Sequence, residues 1–150
     1  MSPLPPIDDR PEAFEARGGQ VTAAEFNLRL VNQVRRIRAA EDEYRKAIDA
    51  WVDAERDYKR AQAIVVAMIE PDSYKNAGER DAKAELMPLA GGGTVNDLRR
   101  TANRAEAMVN ACKLACQHRA GELSALQSEA ALAKDELRLA TYGPSGAEGP

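Results

Sequence analysis

The sequence predicts an all-α fold: a long antiparallel two-helix hairpin, a coiled coil with a long connector, that assembles into an oligomer. Three observations carry this reading. First, apolar residues recur in alternating steps of three and four along one stretch, at Leu30, Val34, Ile37, Tyr44, Ile48, Trp51, Tyr58, Val65 and Ile69, with Glu41, Glu55 and Gln62 holding the remaining steps. Second, a stretch of similar length repeats the pattern at Val95, Leu98, Ala102, Ala105, Val109, Cys112, Cys116, Leu123, Leu126, Ala130, Ala133, Leu137 and Ala140, broken only by Arg119. A mean step of three and a half residues draws one stripe along each helix. Third, 30% of the residues are charged and 5% aromatic, and the mean hydropathy is −0.51. This composition suits long helices rather than a bulky globular core.

The elements follow in order. Residues 1–20 read as a disordered tail, because Pro3, Pro5, Pro6, Pro11, Gly18 and Gly19 interrupt regular structure. Thr22 and Glu25 form a capping box, with Val21 placed as a hydrophobic staple. The helix that starts there is predicted over 22–69, roughly 70 Å at 1.5 Å per residue. It is stopped by Glu70, Pro71, Asp72 and Ser73. The connector spans 70–94, with a short helix predicted from Glu79 to Met87, closed by Pro88. Gly91, Gly92 and Gly93 read as a flexible hinge; they lack the Gly-Lys-Ser/Thr ending of a phosphate loop and follow no strand. Thr94 and Asp97 form a second capping box. The second helix is predicted over 95–142, ended by Gly143 and Pro144, with 143–150 a second tail.

Helices of similar length joined by such a connector fold back most simply as an antiparallel pair. Ala40, Ala47, Ala54 and Ala61 recur every seven residues just before stripe positions and favour close approach of two backbones. Small side chains bury little area each, at about 25 cal/mol per Å², so self-association is expected. Tyr44, Trp51 and Tyr58, also at seven-residue steps, are the expected anchors of the oligomer interface.

Few residues point to chemistry. Cys112, Cys116 and His118 are thiol and imidazole groups of the kind that bind zinc. However, His118 lies on a different helical face from the cysteines, and both cysteines occupy the stripe. They read as small buried residues with no metal. Glu41, Glu55 and Arg119 are charged stripe positions. They either set register or mark where the seam opens to water. With the connector centred near residue 82, Arg119 is expected opposite about residue 45. No catalytic constellation and no cofactor motif is present, so the chain reads as non-enzymatic.

The formal charge is −3, so nucleic-acid contact requires a local patch. Arg29, Arg35, Arg36, Arg38, Arg45 and Lys46 load the first half of helix one, against only Glu41, Asp42 and Glu43. In the hairpin Arg35, Arg36 and Arg38 are expected to face the acids near Glu129, Asp135 and Glu136, which would tend to neutralise them. A second group, including Lys75, Arg80, Arg99 and Arg100, gathers near the connector. No stretch is apolar enough to span a bilayer. The N-terminus lacks a basic start followed by an apolar run, and two cysteines form no disulfide framework. A reducing, cytoplasmic location is expected.

Tyr74-Lys75-Asn76-Ala77-Gly78-Glu79-Arg80-Asp81-Ala82, together with Leu123-Ser124-Ala125-Leu126-Gln127-Ser128, resembles a group of small helical bacteriophage proteins that look like recombination mediators. The similarity covers about residues 30–142 and lies mostly in the helix–connector–helix layout. It implies an oligomeric accessory protein acting with a recombinase or annealing protein on single-stranded DNA, with Lys75 and Arg80 as DNA contacts. The competing reading is a structural or scaffolding coiled coil, a virion or assembly factor that binds only protein.

Overall fold

A computed structural model describes residues 22–142. The expected tails at 1–20 and 143–150, and the staple role of Val21, lie outside the described residues. The described chain is all-helical: α1 Ala23–Met68, a 3-10 turn Pro71–Ser73, α2 Ala77–Leu86 and α3 Val95–Tyr142. Among the described residues no strand forms; one antiparallel bridge joins Pro88 to Thr94.

Each helix begins on a side-chain cap. The Glu25 backbone N–H donates to Thr22 Oγ1 at 3.2 Å, and the Thr22 N–H donates to Glu25 Oε2 at 2.9 Å. The same reciprocal box starts α3, with Asp97 N–H to Thr94 Oγ1 at 3.3 Å and Thr94 N–H to Asp97 Oδ2 at 2.8 Å. These pairs satisfy N–H groups that have no partner within their own helix. α1 ends because Pro71 disfavours helical backbone at Glu70, which is extended at φ −63°, ψ 133°.

The chain divides into two compact units: residues 22–39 with 116–142, and residues 40–115. In the first, Gln33 of α1 meets Arg119 and Glu122 of α3. In the second, Val65 of α1, Ala84 of α2 and Val95 of α3 form a buried cluster. Tyr58, Ala61, Ile69, Met87 and Leu89 pack against that cluster. Tyr58, expected as an oligomer anchor, therefore has part of its surface committed within the chain, while Tyr44 and Trp51 are half-buried.

Three expectations are corrected. Along α1 the predicted stripe is buried or half-buried except at Val34 and Glu41, which are exposed, and the seam also takes in Gln33, Ala40 and Ala47. The alanine row, read as flanking the seam, is part of it, because the smallest side chains sit where backbones come nearest. Along α3 the predicted stripe is buried or half-buried from Val95 to Ala130, and exposed beyond that. The glycine run is also no loose hinge. Leu89 N–H donates to Gly93 O at 2.9 Å and Gly92 N–H to Leu89 O at 3.0 Å. Gly92 and Gly93 have φ of 94° and 73°, a region that side chains oppose. A Cβ on Gly93 would also stand 3.2 Å from the Asp97 Oδ2 that caps α3.

Ala84 has no exposed surface, so the cluster has no room there for a larger group. Ala84→Leu is expected to destabilise the chain by about 1–3 kcal/mol through overpacking. Urea unfolding should show this as a lower midpoint with an unchanged slope.

Candidate functional site

The first unit holds polar groups in its seam: Gln33 is buried, and so, one turn earlier, is Arg29, which therefore leaves the basic surface expected on α1. Gln33 is 2% exposed. Its Nε2 donates to the Arg119 carbonyl oxygen at 2.8 Å and to Glu122 Oε2 at 2.9 Å. Arg119 Nη1 donates to Glu122 Oε2 at 3.0 Å, and His118 Nε2 lies 3.1 Å from Glu122 Oε1. Glu122 is thus the hub, and its carboxyl is held below the usual carboxylate range by the Gln33 hydrogen bond first and the Arg119 hydrogen bond second. A buried amide with both protons placed tolerates few other alignments of the two helices. Arg119 consequently lies beside Gln33 rather than opposite residue 45. The connector does not act as a symmetric loop, because its folded α2 and glycine turn shift the point about which the helices pair.

The charged stripe positions separate accordingly. Glu41 points to solvent, Glu55 pairs with Lys59 at 3.2 Å, and Arg119 joins the polar layer. Gln33, the residue that reaches across, was missed because an amide does not register in an apolar period. Its place at the head of the row Ala40, Ala47, Ala54 and Ala61, one seven-residue step earlier, is the signal that would have found it.

Arg35, Arg36 and Arg38 are exposed on α1 in the same unit. Among the described residues no carboxylate lies within ion-pair distance of Arg35 or Arg38, so the expected neutralisation of these two by Glu129, Asp135 and Glu136 does not form. In the second unit, Arg99 is tied to Glu85 at 3.1 Å, while Arg100 is exposed without an ion pair among the described residues. Arg80 pairs with Asp81 at 3.1 Å and lies 5.9 Å from the centre of the Tyr74 ring. Asn76 Oδ1 accepts from Glu79 N–H at 2.9 Å, and Glu79 Oε2 accepts from Lys75 N–H at 3.0 Å. The Lys75–Arg80 segment is therefore first of all the cap of α2, which leaves the exposed Lys75 side chain available for contact.

Cys112 and Cys116 are free and half-buried on the α3 stripe, whereas His118 is exposed. Among the described residues no three His, Cys, Asp or Glu side chains group to hold a metal, and no helix is long and apolar enough to cross a membrane. No protein-family model, curated protein or solved structure matches the chain.

The Glu122 shift has a direct consequence in acid. A carboxyl whose folded value is depressed adds stability above its ordinary value, and that stability is lost as pH falls through the folded value. Thermal melts are expected to show wild type losing more stability than Glu122→Gln between neutral pH and strong acid. Parallel losses would remove Glu122 as the hub. Double replacement Cys112→Ala and Cys116→Ala is expected to keep the helical content, at about 1–2 kcal/mol for lost packing. Circular dichroism and urea unfolding check it.

Proposed function

We propose that this chain is a helical hairpin acting as a non-enzymatic, oligomeric accessory protein that binds single-stranded DNA. The observation that carries the nucleic-acid reading is the exposed arginine group Arg35, Arg36 and Arg38, in which Arg35 and Arg38 have no carboxylate at ion-pair distance among the described residues. A guanidinium not already engaged by a carboxylate is open to a phosphate, for which its planar donor fork is suited. Lys75, Arg80, Arg99 and Arg100 form a second, weaker group, since Arg80 and Arg99 already hold Asp81 and Glu85. A net charge of −3 makes each patch local, and repetition in an oligomer would raise avidity without new contacts.

The hairpin reading is supported by the pairing of Gln33 with Arg119 in one unit and of Val65 with Val95 in the other. Its mediator role, beside a recombinase or annealing protein in a host cytoplasm, rests on the resemblance at Tyr74–Ala82 and Leu123–Ser128. A protein-only scaffold is the second reading, favoured by the exposed Leu132, Leu137 and Leu139.

Anisotropy of a labelled single-stranded oligonucleotide, titrated across salt concentrations, tests the proposal. Each phosphate contact is expected to add about −0.7 to the log–log salt slope. Replacing Arg35, Arg36 and Arg38 by Ala should lower affinity and flatten that slope by roughly 0.7 for each contact removed. Wild type that fails to bind at low salt, with or without a recombinase, would hand the function to the scaffold reading.

A further inference from the structure

α3 continues past the part of its stripe that is covered. Residues 131–142 are exposed throughout, with Leu132 at 65%, Leu139 at 50% and Tyr142 at 82%. On a helix, Leu132, Asp135, Leu139 and Tyr142 share one face, with Arg138 at its edge. That spacing is the anchor pattern of a helix that lies in an apolar groove.

The second unit contains such a groove. Between the end of α1 and the end of α2, Met68, Ile69, Leu86, Met87 and Pro88 line an open cavity of about 510 Å³. Met68 and Leu86 are 68% and 74% exposed, so no described part of the chain covers them. Methionine-lined grooves adapt readily to helical partners. The charged groups in the lining are Glu70 and Lys83. Lys83 is held by the Ser73 carbonyl and by Glu79 at 3.8 Å, whereas the Glu70 carboxylate has no ion pair among the described residues.

We propose that the groove formed by Met68, Ile69, Leu86 and Met87 receives the 131–142 segment of α3 from a second copy of this chain. Leu132, Leu139 and Tyr142 fill the groove, Asp135 approaches Lys83, and Arg138 meets Glu70. The apolar face and the two opposite-sign charges of the segment match the lining in kind and sign. The partner's end differs from the surface that receives it, so the contact is heterologous. Such contacts build rings when the rotation closes and open chains when it does not. The inference rests on the oligomeric part of the proposed function and not on DNA binding.

Light scattering of the full chain across micromolar concentrations, without DNA, tests it. Wild type is expected to exceed the dimer mass. Leu86→Asp, with a blocked groove, and Leu139→Asp, with a blocked end, should each remain monomeric with unchanged helicity, since both sites are exposed. Their equimolar mixture should stop at the dimer, because one intact end meets one intact groove. Glu70→Lys should weaken assembly and the double variant Glu70→Lys, Arg138→Glu should restore it. Monomeric wild type, assembly by either single aspartate variant, a mixture that stays monomeric, or no charge rescue would each overturn the proposal. A chain that assembles this way and ignores DNA would instead remove only the nucleic-acid reading.

Discussion

Everything in this chain depends on how two long helices hold each other through a seam in which a row of alanines runs between larger side chains. Small side chains bring backbones close, but each removes little apolar area from water. Cohesion is therefore concentrated where larger or more specific groups appear. In the second unit that place is Val65, Ala84 and Val95, with Tyr58 and Ile69 around them. In the first it is Gln33, with its two protons placed on Arg119 and Glu122. The apolar cluster supplies burial but accepts sliding and repacking. The amide layer supplies little net energy, yet misalignment strands buried donors, which costs about 1–3 kcal/mol each. Stability and register thus come from different residues.

The connector is built, not slack. Pro71 ends α1, Asn76 starts α2, Met87 and Pro88 end it, and the turn at Gly92 and Gly93 delivers Thr94 to cap α3. Its short helix contributes Ala84 to the core, so the segment between the long helices also carries part of their packing. This gives the Lys75–Arg80 stretch a folding role that is independent of any ligand. A function assigned to it must be carried by what the cap leaves over, which is the Lys75 side chain and the outer face of Arg80.

Surface charge follows the same logic of subtraction. Arg45 with Asp42, Lys46 with Glu43, Arg56 with Asp53 and Lys59 with Glu55 pair one helical turn apart along α1. Exposed pairs of this kind add little stability, but they occupy cations that would otherwise attract phosphate. Arg35, Arg38 and Arg100 escape such pairing among the described residues. A net acidic chain can therefore still present local positive surface.

Helix class, both capping boxes and the α3 stripe as far as Ala130 were legible from the sequence, because each depends on local spacing within a few residues. The exposed arginines were legible as a group, but the lack of an ion pair at Arg35 and Arg38 among the described residues was not, since it depends on which acids the other helix brings near. The same limit hid Gln33: amide, alanine and apolar positions become one seam only when a second helix lies against them. Residue 45 was expected beside Arg119 because a connector was treated as a simple loop, whereas α2 and the glycine turn set where pairing begins. Local periodicity determined which segments are helical. Only tertiary packing decided that the α1 seam takes in Gln33 and the alanine row and leaves out Val34 and Glu41, because burial depends on the distance between two backbones, and no single strip of sequence encodes that distance.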